Sequence, residues 1–468
     1  MAAETITTIS PTTGKGIITR KGASSEKMLA LARSAQVAFQ SWSKTTLAQR
    51  KEIVTKACGV LEKKKDVLAK EVTEQMGRPI SYTDKEVLTA AMRAKYLMSV
   101  VDEQLGKTDG LAEDGFRRYI KKVPLGVVLI LFPWNYPFIT LINSLVPALL
   151  AGNTVLIKPS PQTPLVAEQI VSVFTEAGLP PNVLQCFHCG TPSNMDTLIK
   201  SPLINHICFT GSVAGGLAVQ KTASSRLVNV GLELGGNDPA YVRPDVDLAW
   251  AAEEIVDGAI FNSGQSCCAI ERVYVHQSIH DAFVAEVQKV LSKYIVGDPM
   301  DKKTQIGPVV SAASRESIRA QIADAVEKGA KDVTPPNATF DNLPKEGHFI
   351  RPTLLTGVTH DMVVMQQETF GPVIPVMVVK SDEEAVRLMN DSDLGLTASV
   401  WTKDVAYGEK LSEEIEAGTV FVNRADYPSP DLAWTGWKDS GKGVTLSRFG
   451  FDQFVKLKSF HVKNYPRL

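Results

Sequence analysis

Blocks of like charge are missing from this chain of 468 residues. Its 50 Lys+Arg stand against 51 Asp+Glu, a formal charge of −1, and the basic residues are scattered. That balance gives no electrostatic basis for binding nucleic acid or an anionic membrane surface. Cysteine is scarce as well: Cys58, Cys186, Cys189, Cys208, Cys267 and Cys268 are too few for a disulfide framework. The opening MAAETITTIS lacks both an apolar core and an Arg-rich amphipathic pattern, so neither secretion nor mitochondrial import is suggested. The closing Tyr465-Pro466-Arg467-Leu468 is not a peroxisomal address, and the cytoplasm is the expected compartment. Internal repeats, low-complexity segments and the G-x-G-x-x-G dinucleotide fingerprint are all missing.

One absence could mislead. From Val123 to Ile157 no side chain is charged, a run of 35 residues long enough to suggest a membrane span. Pro133, Pro137 and Pro147 interrupt it, and Asn135 and Asn143 would be unsatisfied in lipid. A buried strand, an irregular turn and a buried helix account for it better.

The length implies two or three domains, and 44% apolar with 22% charged residues is a globular composition. Apolar spacing near 3.6 predicts helices over 26–78 and 84–104. Short apolar runs then alternate with helical ones: strands at Val127–Leu131, Thr154–Ile157, Val183–Phe187 and His206–Phe209, helices at Ser144–Ala151, Leu165–Ala177 and Met195–Lys200. This order predicts an α/β fold with a Rossmann-like parallel-sheet domain. After Gly235-Gly236 the alternation resumes, with helices at Leu248–Phe261, Asp281–Tyr294 and Ser311–Lys328 and a strand at Val273–Val275, so a second α/β domain is expected near 237. Phe116–Val123 alternates apolar and basic residues and could pair with Phe454–Val462 as an edge sheet.

Three blocks carry chemistry. Phe261-Asn262-Ser263-Gly264-Gln265-Ser266-Cys267-Cys268 holds a thiol pair, 34 residues after Glu233 in Leu232-Glu233-Leu234-Gly235-Gly236. Upstream lies Phe132-Pro133-Trp134-Asn135-Tyr136-Pro137. A thiolate can attack a carbonyl, an amide can steady the oxyanion, and a carboxylate can activate water. Each also has a plain structural reading: a packed thiol, a paired carboxylate, a helix-capping Asn. Phe209-Thr210-Gly211-Ser212 follows a strand and opens a helix, where backbone N–H groups can hold phosphate. Cys186-Phe187-His188-Cys189 lacks the second ligand pair a zinc site needs, so no metal is expected.

The order and spacing of these blocks resemble the aldehyde dehydrogenase superfamily, over nearly the whole chain from Thr8 to Gly441. The resemblance implies NAD(P)-dependent oxidation of an aldehyde, with Cys267 as nucleophile, Glu233 as the base for thioester hydrolysis and Asn135 as oxyanion donor beside the Cys267 backbone N–H. A coenzyme A-acylating relative is the alternative reaction, which Glu233 disfavours. Implied cofactor residues are Lys158, Ser160, Gly211, Ser212, Gly216, Trp134, Glu368 and Phe370. Pro161 stands where NAD-preferring members often carry Glu, which leaves NAD and NADP both open. The expected substrate pocket comprises Tyr136, Asn143, Ser266, Cys268 and Arg424, with Trp434 and Phe451 as further wall candidates. Asn143 stands where succinate-semialdehyde members carry Arg, so an uncharged medium-sized aldehyde is expected, a semialdehyde being the alternative. Only one of the adjacent thiols is expected to face it. The implied organisation is a cofactor domain at 1–106 and 125–235, a catalytic domain at 236–432, oligomerisation strands at 107–124 and 450–468, and a return of 433–449 to the cofactor domain. A homodimer or homotetramer is the implied assembly.

Overall fold

The computed structural model describes residues 4–464, which form two parallel-rich sheets whose loops line a shared cleft. The first has six strands in the order Gly441–Lys442, Asn229–Glu233, His206–Thr210, Val127–Phe132, Thr154–Pro159, Leu184–Cys186. All its pairings are parallel except that of Gly441–Lys442 with Asn229–Glu233. From Val127–Phe132 the chain winds outward through Thr154–Pro159 and Leu184–Cys186, then crosses back to His206–Thr210 on the other side. The switch point lies beyond the carboxyl ends of Val127–Phe132 and His206–Thr210, where open α/β sheets bind their ligands. The Asn135 loop and the Gly211-Ser212 turn begin there.

The second sheet has seven strands, ordered Lys331–Asp332, Thr353–Thr356, Val373–Val379, Ile270–His276, Asp238–Val242, Thr397–Trp401, Thr419–Val422. Cys267 precedes Ile270–His276, and Phe370 precedes Val373–Val379. The uncharged stretch resolves into the buried strand Val127–Phe132, a turn, the helix Pro137–Ala151 and the buried strand Thr154–Pro159. Among the described residues no helix is long and apolar enough to cross a membrane.

The helix expected over 26–78 is two, Ser25–Trp42 and Leu47–Met76. Thr46 and Gln49 form a reciprocal cap, Gln49 N–H donating to Thr46 Oγ1 at 3.2 Å and Thr46 N–H to Gln49 Oε1 at 2.8 Å. Amphipathic periodicity continues across such a break, so spacing alone did not reveal it. The hairpin Thr5–Ile9 with Gly16–Lys21 was not foreseen either. Phe116–Pro124 does pair antiparallel with Val455–Lys463, alongside Thr108–Asp109. Positions 465–468 of the expected pairing segment lie outside the described residues.

Candidate functional site

A cavity of 620 Å³ opens between the two sheets and is lined by Cys267, Glu233 and Asn135 together. Local backbone chemistry brings the thiol there. Asn262, Ser263 and Gly264 hold consecutive positive φ values of 53°, 60° and 72°, a left-handed run that turns the chain sharply after the helix Leu248–Ile260. At Gly264 a Cβ would lie 2.2 Å from the Gly371 carbonyl oxygen, so only glycine fits against the Phe370 loop. The Gln265 side chain fastens the turn, donating to Asn262 O at 3.0 Å and accepting Val310 N–H at 2.7 Å.

Asn135 donates from Nδ2 to the Gln265 carbonyl at 3.2 Å. One of its two amide hydrogens is thus held, which fixes the side chain and leaves the other as a donor. Arg78, buried to 1% exposure, supports this loop from behind. Its guanidinium donates to the Asn135 carbonyl, to Glu86 and, from Nε, to Asn262 Oδ1 at 3.3 Å, and it lies 4.2 Å over the Tyr136 ring. Glu86 in turn accepts Phe138 N–H at 2.8 Å.

Glu233 ends its strand with each carboxylate oxygen accepting a threonine hydroxyl, from Thr445 and from Thr210. Loss of water around the carboxylate raises its pKa, against the lowering effect of Thr445, Thr210 and Arg93. Cys268 lines the same cavity as Cys267. The two are not equivalent. The Cys268 thiol donates to Asp426 Oδ1 at 2.9 Å, and contact with the Cys267 thiol, burial and the Asp426 charge push its pKa well up. Ser266 Oγ donates to the same Asp426 oxygen at 2.8 Å, and burial brings the Asp426 carboxyl to about 6.

A second cavity, of 420 Å³, adjoins the first and shares Pro133, Trp134, Thr210, Gly211 and Ser212 with it. Lys158, Ser160 and Pro161 line its far part, and burial lowers the Lys158 pKa. Ser212 caps the helix Val213–Ala223, its Oγ accepting Gly215 N–H at 3.2 Å. In the first cavity Trp134 meets Phe370 edge to face, centroids 5.7 Å apart. Glu368 accepts Gly236 N–H at 3.0 Å, and burial brings its carboxyl to about 7. Two joined chambers, a helix N-terminus and a lysine at one end, and an aromatic ring with a carboxylate beside the thiol at the other, suit an extended dinucleotide.

Three expected residues stand elsewhere. Gly216 lines neither cavity; a Cβ there would lie 2.5 Å from the Leu234 side chain, so its role is helix-to-strand packing. Arg424 is exposed, stacked 3.8 Å over the Tyr427 ring, while Asp426 turns inward to Ser266 and Cys268 rather than neutralising it. Phe451 is fully buried in the core behind helix Pro137–Ala151, whereas Trp434 does line the cavity. The expected uncharged wall at Asn143 also needs correction. Asn143 lines the cavity, but its Oδ1 accepts Arg93 Nη1 at 3.2 Å, and Arg93 lines the cavity too. Arg93 sits in the helix Ile80–Gln104, far along the chain from every motif; an arginine in an amphipathic helix reads as solvated, so no sequence signal marked it.

This geometry puts a thiol, a carboxylate and an amide on the lining of one chamber that opens into a second, suited to a nucleotide. The chain belongs to the aldehyde dehydrogenase family, whose sequence profile, described as "Aldehyde dehydrogenase family", matches residues 1–460. It is 34% identical to an aldehyde dehydrogenase of Paenarthrobacter nicotinovorans over 97% of this chain and 99% of that one. It is also 34% identical to aldehyde dehydrogenase [NAD(P)+] 2 of Saccharomyces cerevisiae, over 98% and 92%. Among solved structures, the NAD-dependent aldehyde dehydrogenase of Sinorhizobium meliloti superposes with a TM-score of 0.94 at 30% identity, covering 99% and 92% of the two chains.

Proposed function

We propose that this chain oxidises an aldehyde to its carboxylic acid with NAD or NADP, through a covalent intermediate on Cys267. The observation that carries the reading is the convergence of Cys267, Glu233 and Asn135 on one chamber joined to a second, elongated one. The Cys267 thiolate adds to the carbonyl carbon, forming a C–S bond and an oxyanion. The free Asn135 amide hydrogen and the Cys267 backbone N–H donate to that oxygen. Lys158, Ser160 and the Gly211-Ser212 turn hold the adenosine and phosphate part of the dinucleotide, and Glu368, Phe370 and Trp134 its nicotinamide end. When bound, the nicotinamide takes the aldehyde hydrogen as hydride. As the oxyanion collapses, Cys267 is left as a thioester. Glu233 removes a proton from water, the resulting hydroxide adds to the thioester carbonyl, and the acid leaves as the thiolate is restored. Glu233 then loses its proton to solvent.

The six-stranded sheet, in this reading, carries the cofactor and the seven-stranded sheet presents the nucleophile, while Phe116–Pro124 and Val455–Lys463 supply an edge for pairing copies into a dimer or tetramer. The test follows reduced cofactor by absorbance with NAD and with NADP. Cys267→Ala is expected to abolish turnover with either cofactor, and Cys268→Ala to retain most of it, because its thiol is held un-ionised against Asp426. The reverse ranking would overturn the assignment.

A further inference from the structure

We infer that Arg93 is a specificity residue and that the substrate is a short aldehyde bearing a carboxylate. The inference rests on the proposed aldehyde oxidation and names its substrate class. Arg93 is 4% exposed and lines the reaction chamber. Its two hydrogen-bond acceptors are neutral: Nη1 donates to Asn143 Oδ1 at 3.2 Å and Nη2 to the Pro428 carbonyl at 3.0 Å. Its Nε is buried with no acceptor, and among the described residues no carboxylate lies at ion-pair distance. A buried guanidinium without a counter-ion is costly. The charged and titratable groups around it are Glu233, Cys268, Tyr427 and Glu86, and the first, second and last of these are committed elsewhere. Glu86 binds Arg78, Glu233 accepts two threonine hydroxyls, and the Cys268 thiol donates to Asp426. Asn143 turns its oxygen to Arg93, which leaves its NH₂ group uncommitted to that contact. Carboxylates line the chamber elsewhere, but none pairs with Arg93, whose Nε is left without an acceptor; a planar carboxylate matches such a guanidinium fork. This reverses the substrate class that Asn143 alone suggested.

The experiment compares a matched pair, succinate semialdehyde and butanal, by kcat/KM in the wild type, Arg93→Met and Arg93→Lys. The wild type is expected to favour succinate semialdehyde by at least about tenfold. Arg93→Met is expected to remove that preference, kcat/KM for succinate semialdehyde falling at least about tenfold further than that for butanal, chiefly through a raised KM. Arg93→Lys recovers part of the preference. Arg93 also lowers the Glu233 pKa, but that influence acts on both substrates alike and cancels in their ratio. A wild type that favours butanal, or an Arg93→Met that slows both equally, overturns the inference. If Arg93→Met does not fold, the wild type decides alone: succinate should inhibit butanal oxidation competitively and butyramide should not, and equal inhibition or none refutes the anion site. Butanal turnover with no carboxylate preference refutes only this inference; turnover of neither aldehyde refutes the proposed function as well.

Discussion

Arg78 and Arg93 are two buried arginines on the border of one chamber, and they differ in their partners. Arg78 is compensated on every side, by Glu86, the Asn135 carbonyl, Asn262 Oδ1 and the Tyr136 ring. Arg93 has two neutral acceptors and an orphaned Nε. A fully paired buried charge rigidifies what it touches, and Arg78 touches both the Asn135 loop and the turn before Cys267. An under-paired one retains free energy to be released on meeting a ligand. The same residue type thus serves as a brace at one position of the chamber lining and, in the inference above, as a receptor at another.

The sharpest way to break that comparison is stability. Arg78→Met strands Glu86 in a buried site and is expected to cost about 3–5 kcal/mol, whereas Arg93→Met strands no charge and should cost under about 1 kcal/mol. Urea unfolding of the two variants reads this directly; equal losses would erase the distinction between brace and receptor.

Glu233 lines the same chamber, and the proposed function gives it a chemical role rather than a supporting one. Glu233→Gln should keep a pre-steady-state burst of reduced cofactor and then lower steady turnover by at least about a hundredfold. Mass spectrometry should find an acyl adduct on Cys267. Because burial raises the Glu233 pKa, deacylation in the wild type should quicken as pH rises through that raised value. Loss of the burst would mean that Glu233 acts before hydride transfer.

The smallest effect concerns the cofactor end, where Glu368 is buried near Glu271 and its carboxyl sits at about 7. An unfolded glutamate titrates near ~4.3, so the folded chain holds this proton more tightly. Its contribution to stability is complete below the unfolded value and is lost as pH rises through about 7. Glu368→Gln keeps that neutral form at every pH. Relative to the wild type its Tm is expected to gain about 2–4 °C at pH 8 and nothing at pH 4. A pH-independent difference would place the cause in packing instead.

Much of the site was legible because its chemistry sits in contiguous motifs. Asn135 is flanked by Pro133 and Pro137, Cys267 follows Gly264 and Gln265, and Glu233 precedes two glycines. Local backbone constraints at proline and glycine are properties of the chain itself, so they could be read without a fold. The alternation that implied both sheets is likewise local, though the break between Trp42 and Leu47 escaped it because its cap depends on two side chains closing on each other.

Which distant side chains meet was settled by packing in three dimensions. Arg424 lies beside the expected pocket segment yet turns outward onto Tyr427, Gly216 belongs to a phosphate-like turn yet packs on Leu234, and Asp426 leaves its neighbour Arg424 for two residues of the thiol loop. Arg93 reaches Asn143 and Pro428 from a helix that carries no motif. Residue types in their turns showed which groups could do chemistry, and the family resemblance those motifs carry implied the nucleophile, the donor, the base and the reaction class. The charge of the substrate wall came instead from contacts between elements far apart in the chain, where burial alone separates a solvated arginine from an uncompensated one.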